Sequence, residues 1–125
     1  MEWEVIFGQV ISKANHYSVG GQGSRHWIIK DPIIRKYESS FRKQCKIYAS
    51  KGISSRFKLE IKVYHSSIRF DLDNALKTVL DCLQDCGAIT NDSQCFSIEA
   101  SKFIDKFHPR IEYRIIEICE QKELF

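Results

Sequence analysis

Phe57-Lys58-Leu59-Glu60-Ile61-Lys62-Val63-Tyr64 is the stretch that decides the fold, because apolar and polar side chains alternate along its whole length. Successive side chains of a β-strand point to opposite faces, so this alternation gives one apolar face and one polar face. The pattern predicts a half-buried strand in the middle of the chain.

A helix is predicted after this strand, from about Asp73 to Cys86, and Gly87 is suited to its C-terminal cap. Its apolar side chains recur at helical spacing: Leu72, Leu76, Val79, Leu80 and Leu83. Two further strands are predicted at residues 94–104 and 110–118. His108-Pro109 lies in the turn between them, so they are expected to pair as a hairpin.

The N-terminal half adds a strand at residues 3–11 and a polar, glycine-containing loop at 12–24. His26 to Lys30 is read as a short strand. Asp31-Pro32 then provides a capping carboxylate and a proline at the first helical position, and residues 32–50 form an amphipathic helix. The order β-(β)-α-β-α-β-β predicts an α+β, or mixed α/β, fold with a mixed sheet packed by two main helices.

Length and composition predict one small domain over residues 1–125, with 43% hydrophobic residues to form its core. No apolar run approaches the roughly 20 residues of a membrane-spanning helix. The acidic start Met1-Glu2-Trp3-Glu4 lacks the features of a signal peptide, so a cytoplasmic protein is expected.

Five cysteines without close pairs are a poor disulfide framework, which fits a reducing compartment. Cys82 and Cys86 share a helical face, as half of a metal site would. Without an accompanying CxxC or HxxxH motif, we interpret them as small, partly buried apolar side chains.

Charge is distributed unevenly along the chain. Residues 1–70 hold 13 Lys and Arg against 5 Asp and Glu, whereas residues 71–125 hold 6 against 11. This asymmetry suits a protein that holds a polyanion on one surface and a cation on another. The candidates for DNA contact are Lys13, Asn15, Arg25, Arg35, Arg42, Lys43, Lys46 and Arg69. The alternative is a solvated cationic surface; Tyr17, Trp27 and Tyr48 are either base-stacking residues or core.

The candidate catalytic residues lie where the central strand gives way to the second helix. Asp71 and Asp73 are two residues apart, and such carboxylates repel each other unless a proton or a cation lies between them. Lys77 follows Asp73 by four residues, so the two are about 40° apart around the helix. Asp92, after the helix, is a candidate third carboxylate, and the three Asp residues form a predicted Mg²⁺ site.

Each of these residues also has an ordinary structural interpretation. Asp71 suits an Asx-turn and Asp73 suits a helix N-cap. Lys77 and Asp81 suit a solvated i, i+4 pair, and Asp92 suits a turn.

The combined pattern resembles the RusA family of Holliday junction resolvases, through Asp71-Leu72-Asp73-Asn74, Lys77, Asp81, Gly87 and Asn91-Asp92. A weaker match is Ser12-Lys13-Ala14-Asn15-His16-Tyr17. The family often has Asp-Asp where this chain has Asn91-Asp92, and Val10-Ile11 replaces prolines that often precede the N-terminal stretch.

The resemblance implies a bacterial or phage-encoded homodimer that resolves four-way DNA junctions by paired nicks. It also implies dependence on Mg²⁺, with Mn²⁺ as a possible substitute. It places Asp71, Asp73 and Asp92 on the family's catalytic carboxylates and Lys77 on its catalytic lysine; we expect Asn74 and Asn91 to support them. The rival interpretations are a non-catalytic DNA-binding protein of the same fold, a metal-dependent nucleotide phosphohydrolase and a structural interaction domain.

Overall fold

The computed structural model describes the backbone of residues 2–13, 17–22, 25–30 and 32–118, with side chains in the first and last of these ranges. A 3₁₀ helix spans Asp92–Gln94. The remaining elements, in chain order, are β1 (Glu4–Phe7), β2 (Tyr17–Gln22), β3 (Arg25–Lys30), α1 (Pro32–Gln44), β4 (Phe57–His65), α2 (Leu72–Asp85), β5 (Cys95–Ile104) and β6 (Arg110–Glu117).

Four strands form a mixed sheet in the order β1-β6-β4-β5, and β2 pairs with β3 in a separate antiparallel hairpin. β4 is antiparallel to β6 and parallel to β5. The parallel pair requires a crossover, and α2 supplies it. The predicted α+β fold class is confirmed.

The predicted hairpin of the last two strands is wrong, because β4 lies between β5 and β6. α2 returns the chain to the start of β4, and β5 then pairs along the free side of that strand. The turn at 105–109 carries the chain past the end of β4 to the other side. Proximity in sequence therefore does not make these strands neighbours.

The core lies between one face of the sheet and the two helices, because the apolar side chains of β4 all point there. Phe57, Leu59, Ile61 and Val63 are each at most 2% exposed. They meet buried side chains from the other elements: Ile34 and Phe41 of α1, Val79 and Leu83 of α2, and Ile111, Tyr113 and Ile115 of β6. Burial of this apolar surface holds the helices on the sheet.

α1 ends at Gln44, earlier than the predicted residue 50, because a carboxylate from β1 competes for the backbone. Glu4 Oε2 accepts hydrogen bonds from the N–H groups of Lys46 and Ile47, at 2.6 and 2.7 Å. These donors would otherwise bond to carbonyls one helical turn earlier. Glu4 therefore replaces the last turn of the expected helix.

The N-terminal predictions are partly wrong. β1 covers only Glu4–Phe7, and Gly8 follows with a φ of 114°, a left-handed conformation that ends the strand. The loop predicted at 12–24 contains β2, whose pairing with β3 depends on backbone groups rather than on an apolar pattern. The expected short strand at His26–Lys30 is confirmed within β3. Asp31, the expected cap, lies outside the described residues, and α1 begins at Pro32 as predicted.

α2 ends at Asp85 with Cys86 as its C-cap, within one residue of the predicted end, and Gly87 follows as expected. The Gly87 N–H bonds to the carbonyl of Gln84, and the Ala88 N–H bonds to that of Leu83 at 2.9 Å. Gly87 has a φ of 76°, so the pair of bonds forms a Schellman cap. Within the described ranges, no helix has both the length and the apolar character needed to cross a membrane.

Candidate active site

A rigid turn leads from the end of β4 into the candidate site. The Gln9 side chain holds it in two places: its amide nitrogen lies 2.8 Å from His65 Nδ1, and its oxygen accepts from the Ser66 N–H at 2.8 Å. The His65 ring is buried and stacks on Phe70, with ring centroids 5.4 Å apart. This packing fixes the chain immediately before Asp71.

Asp71 occupies the N-cap position of α2 without using its carboxylate as a cap. An N-cap Asp usually accepts a hydrogen bond from a backbone N–H of the first turn, yet none of the described N–H groups of α2 makes this bond. The carboxylate is exposed, and Asn74 Nδ2 donates to its Oδ2 at 3.4 Å. Helix capping therefore does not account for the charge of Asp71.

Asp73 lies in the first turn of α2, also exposed, and its Oδ1 accepts from the backbone N–H of Asn74 at 2.9 Å. Asn74 thus contacts both carboxylates of the motif. Asp73 is a helix residue rather than the N-cap. The positive end of the helix dipole favours acidic groups here.

Lys77 projects from the next turn of α2 and bridges two further carboxylates. Its Nζ lies 3.2 Å from Oδ1 of Asp81 and 3.2 Å from Oδ2 of Asp92. Hydrogen bonds to Asp81 and Asp92 raise the pKa of Lys77 above its usual 10.5, so the ammonium is charged at neutral pH. The lysine side chain is 65% exposed and therefore open to a ligand.

The loop after α2 positions Asp92 by backbone contacts. Gln84 Oε1 accepts from the Asp92 N–H at 3.0 Å, which joins the loop to the helix. Asn91 caps the short 3₁₀ helix, accepting from the Ser93 N–H at 2.8 Å, and Gln94 Oε1 accepts from the Asn91 N–H. Asn91 therefore has a structural role in the loop that carries Asp92.

The donor set suits magnesium, although the carboxylates do not form a closed cage. Among the side chains that the structure describes, no three His, Cys, Asp or Glu stand close enough to hold one metal ion. Mg²⁺ commonly takes one or two carboxylates and completes its octahedron with water and phosphate oxygens. Asp71 and Asp73, exposed and both in contact with Asn74, fit that requirement. The approach of Asp92 to the same ion stays a prediction.

A cavity of about 600 Å³ opens beside Asp71 and Asn74. Lys36 of α1 and Arg69 of the turn also line it, together with the rings of Phe7 and Phe70. A volume of this size is typical of small-ligand sites. The Asp71 carboxylate and the Asn74 carboxamide thus share a concave surface with two cationic side chains.

Apart from Lys13, the expected DNA-contact residues divide into three groups. Arg35, Lys43, Lys46 and Arg69 are exposed, as DNA contact requires. Arg42 is exposed but forms an ion pair with Asp85. Asn15 and the Arg25 side chain lie outside the described residues, as do the side chains of Tyr17 and Trp27.

Lys13 and Tyr48 do not face solvent, which corrects the expectation for Lys13 and decides between the two interpretations of Tyr48. Lys13 is 8% exposed, and its Nζ lies 3.1 Å from Glu38 and 3.6 Å from Asp81. It neutralises carboxylates between the helices instead of contacting DNA. Tyr48 is buried with its ring 5.6 Å from that of Tyr113, so it is a core residue.

Sequence reasoning missed three residues that shape the site: Gln9, Lys36 and Gln84. Gln84 lies three residues after Asp81, so helical periodicity places it on the same side of α2. Lys36 follows Arg35 on α1, and only tertiary packing brings it to the cavity beside Asp71. No local pattern marks Gln9, because its partners are 56 and 57 residues away.

Comparison with known families gives one match. The family model described as "Endodeoxyribonuclease RusA" matches residues 8–116 of this 125-residue chain. The match includes β4, α2 and the loop of Asp92. No curated protein matches the chain significantly.

Proposed function

The chain belongs to the RusA family of endodeoxyribonucleases, and we propose that it is a Mg²⁺-dependent enzyme that makes paired, symmetric nicks in four-way DNA junctions during recombination and repair. Family membership implies the nuclease activity and Holliday junction resolution. The metal, the pairing of the nicks, the biological process and the residues assigned below are the proposed parts.

The contact between Lys77 and Asp92 carries this proposal. It brings the loop carboxylate to the helix that begins with Asp71 and Asp73, with Lys77 one turn further along. Structural roles account poorly for this arrangement, because Asp71 does not cap its helix. A set of exposed carboxylates with one lysine is instead suited to a divalent cation and a phosphodiester.

Asp71 and Asp73 would hold the metal, with Asp92 as a third ligand. When bound, Mg²⁺ supplies an activated water and offsets charge on the scissile phosphate. Asn74 orients both motif carboxylates through its side-chain and backbone N–H groups. Lys77 is charged and exposed, so it can place its ammonium against the phosphate as negative charge develops there.

The exposed cations of α1 and the turn before Asp71 would hold the DNA backbone. Arg35 and Lys43 lie on α1, and Lys36 and Arg69 share the cavity wall with Asp71. Arginine and lysine bind phosphates through charge-assisted hydrogen bonds. The position of Lys36 and Arg69 would bring a phosphodiester next to the Asp71 carboxylate.

Two symmetric cuts require two active sites, and β5 offers a surface for a second copy of the chain. Among the described strands, β5 forms the sheet edge and pairs with β4 alone. It exposes large apolar side chains along its length: Phe96, Ile98, Phe103 and Ile104. Because an open, apolar edge strand favours pairing, we propose antiparallel pairing of β5 with its two-fold mate.

The central test is a nicking assay on a synthetic four-way junction, with Mg²⁺ or with EDTA. We expect cutting with Mg²⁺, no cutting with EDTA, and at least a hundredfold loss for Asp73→Asn. The variant should bind the junction at least as tightly as the wild type, since it loses a negative charge.

Glu117→Gln is the matched control, because Glu117 is an exposed carboxylate at the end of β6, where it accepts a hydrogen bond from the Ser55 hydroxyl. It should cut at the wild-type rate. Cutting by Asp73→Asn at that rate would contradict the metal assignment. Hydrolysis of free nucleotides without junction cutting would favour the phosphohydrolase instead.

A further inference from the structure

Two cysteines from distant parts of the chain meet beneath the ends of both helices. Cys45 directly follows α1, and Cys86 is the C-cap of α2. Their sulphur atoms lie 3.7 Å apart, although 41 residues separate them. This is hydrogen-bond distance for sulphur, and both thiols are free.

The environments of the two thiols differ. Cys45 is 2% exposed, with Sγ 3.3 Å from the Tyr113 hydroxyl and 3.4 Å from Glu4 Oε1. Cys86 is half-buried, so solvent reaches part of the residue, and its Sγ also lies 3.5 Å from the Leu83 carbonyl oxygen. The hydrogen bond with Cys86, together with burial, raises the pKa of Cys45, whereas the same hydrogen bond lowers the pKa of Cys86.

The other described cysteines lack this arrangement. Cys82 is 1% exposed, and burial raises its pKa to about 12. Cys95 is half-buried like Cys86, and its Sγ likewise contacts a backbone carbonyl, that of Ser97 at 3.5 Å, but no described thiol lies beside it and burial raises its pKa. Cys95 is therefore a matched reference for exposure without a neighbouring thiol in the described part of the chain.

We propose that Cys45 and Cys86 form a redox-active pair, in which Cys86 reacts with a peroxide and Cys45 resolves the product as an intramolecular disulfide. The geometry assigns the order in which the two thiols react. Of the two, only Cys86 is partly exposed to an oxidant, and the buried Cys45 is in contact with it. The proposal is independent of the nuclease assignment.

Overall, two thiols and one hydrogen peroxide give one disulfide and two molecules of water. The Cys86 thiolate attacks one oxygen of hydrogen peroxide, the O–O bond breaks, and hydroxide leaves and takes up a proton, giving a sulfenic acid. The Cys45 sulphur then attacks the sulfenic sulphur, the S–O bond breaks, and the Cys45 proton leaves with the hydroxide as water. The two sulphurs together lose two electrons to the peroxide.

The expected bond ties the end of α1 to the end of α2. The sulphur atoms must close from 3.7 Å to about 2.05 Å. The cross-link joins residues that are 41 positions apart, so it lowers the conformational entropy of the unfolded chain. The oxidised protein should therefore have a higher Tm, by about 5 °C or more.

The test is oxidation of the folded, reduced chain with hydrogen peroxide, followed by alkylation of remaining thiols and peptide mapping. We expect one disulfide, between Cys45 and Cys86, and loss of free Cys86 at least about tenfold faster than loss of free Cys95. In Cys45→Ser, a sulfenic acid should persist at Cys86 and react with dimedone. Cys95→Ser should oxidise like the wild type.

Equal oxidation of Cys86 and Cys95, or a disulfide elsewhere, would overturn the proposal. The peptide map of the wild-type chain needs no substitution, so it decides the matter even where a variant at the buried Cys45 fails to fold. Nuclease activity is no part of the measurement.

Discussion

Nζ of Lys77 lies 3.2 Å from Oδ2 of Asp92, although 15 residues separate them in the chain. The lysine projects from α2, and the aspartate begins the 3₁₀ helix that follows it. The same ammonium contacts Asp81, one helical turn away. Lys77 therefore links the Asp81 carboxylate of the helix with the Asp92 carboxylate of the loop.

Replacing Lys77 with Met should lower nicking by about ten- to a hundredfold, because a preformed positive charge is lost from the site. Thermal stability should change little, since exposed ion pairs contribute roughly 0–1 kcal/mol. Single-turnover nicking rates and Tm values measure the two effects. Lys58→Met, which breaks an ion pair with Glu99 on the sheet, is the control and should keep the wild-type rate. Equal loss in both variants would count against a role for Lys77.

Removing the cations of α1 should weaken binding to all DNA sequences alike. We expect Arg35→Ala and Lys43→Ala each to reduce the slope of log K against log salt by about one, as the loss of one phosphate contact predicts. Binding titrations of a four-way junction over a salt series provide the measurement. Lys106→Ala, in the turn before β6, is a comparable exposed control. An unchanged slope would show that α1 does not face DNA.

Glu4→Gln should destabilise the fold by about 2–4 kcal/mol at neutral pH, because a buried carboxylate that accepts several hydrogen bonds is replaced. Burial favours the neutral acid, but the N–H groups of Ile47 and Lys46 outweigh it and lower the pKa of Glu4 below its usual 4.5. Its contribution is complete above that value and is lost as the pH falls through the lower, folded-state pKa.

Denaturant unfolding at several pH values tests this account of Glu4. The difference between wild type and variant should shrink below about pH 4.5. Glu117→Gln, at an exposed carboxylate, should show neither the loss nor the pH dependence. A constant difference down to strongly acidic pH would contradict the carboxylate contacts.

A charge on β5 should separate the proposed dimer. Ile98 is 41% exposed on the edge strand, and Ile98→Lys would place two like charges near the two-fold axis of an antiparallel β5 pair. Sedimentation or light scattering should then give a monomer with a native far-UV spectrum. Phe7→Lys, on the opposite edge of the sheet, should remain dimeric. A dimeric Ile98→Lys protein would place the interface elsewhere.

Periodic patterns predicted the parts of the fold that depend on local sequence. The alternation at Phe57–Tyr64 and the apolar positions of α2 correspond to observed elements. The end of α1 could not be predicted in this way, because Glu4 lies 42 residues before Lys46 and takes its N–H group. The position of β5 also depends on a distant partner, since both it and β6 pair with β4.

In the candidate site, too, local spacing predicted some features, and others depend on distant partners. Helical spacing predicted that Lys77 would lie on the Asp73 side of α2, and the carboxylate that it contacts at i+4 follows from the same periodicity. The approach of Asp92 depends on the Schellman turn at Gly87 and on the Gln84 side chain. The burial of Lys13 could not be read from its neighbours, because Glu38 lies 25 residues away.

The interior position of β6 has a consequence for the order in which the molecule is made. β1 pairs with β6 rather than with β4, so the first of the described strands has its sheet partner in the last of them. A growing chain can thus carry Asp71, Asp73, Lys77 and Asp92 before its sheet can close. The four-stranded sheet therefore closes only after β6 has been synthesised, so the candidate catalytic residues emerge before the sheet that supports them is complete.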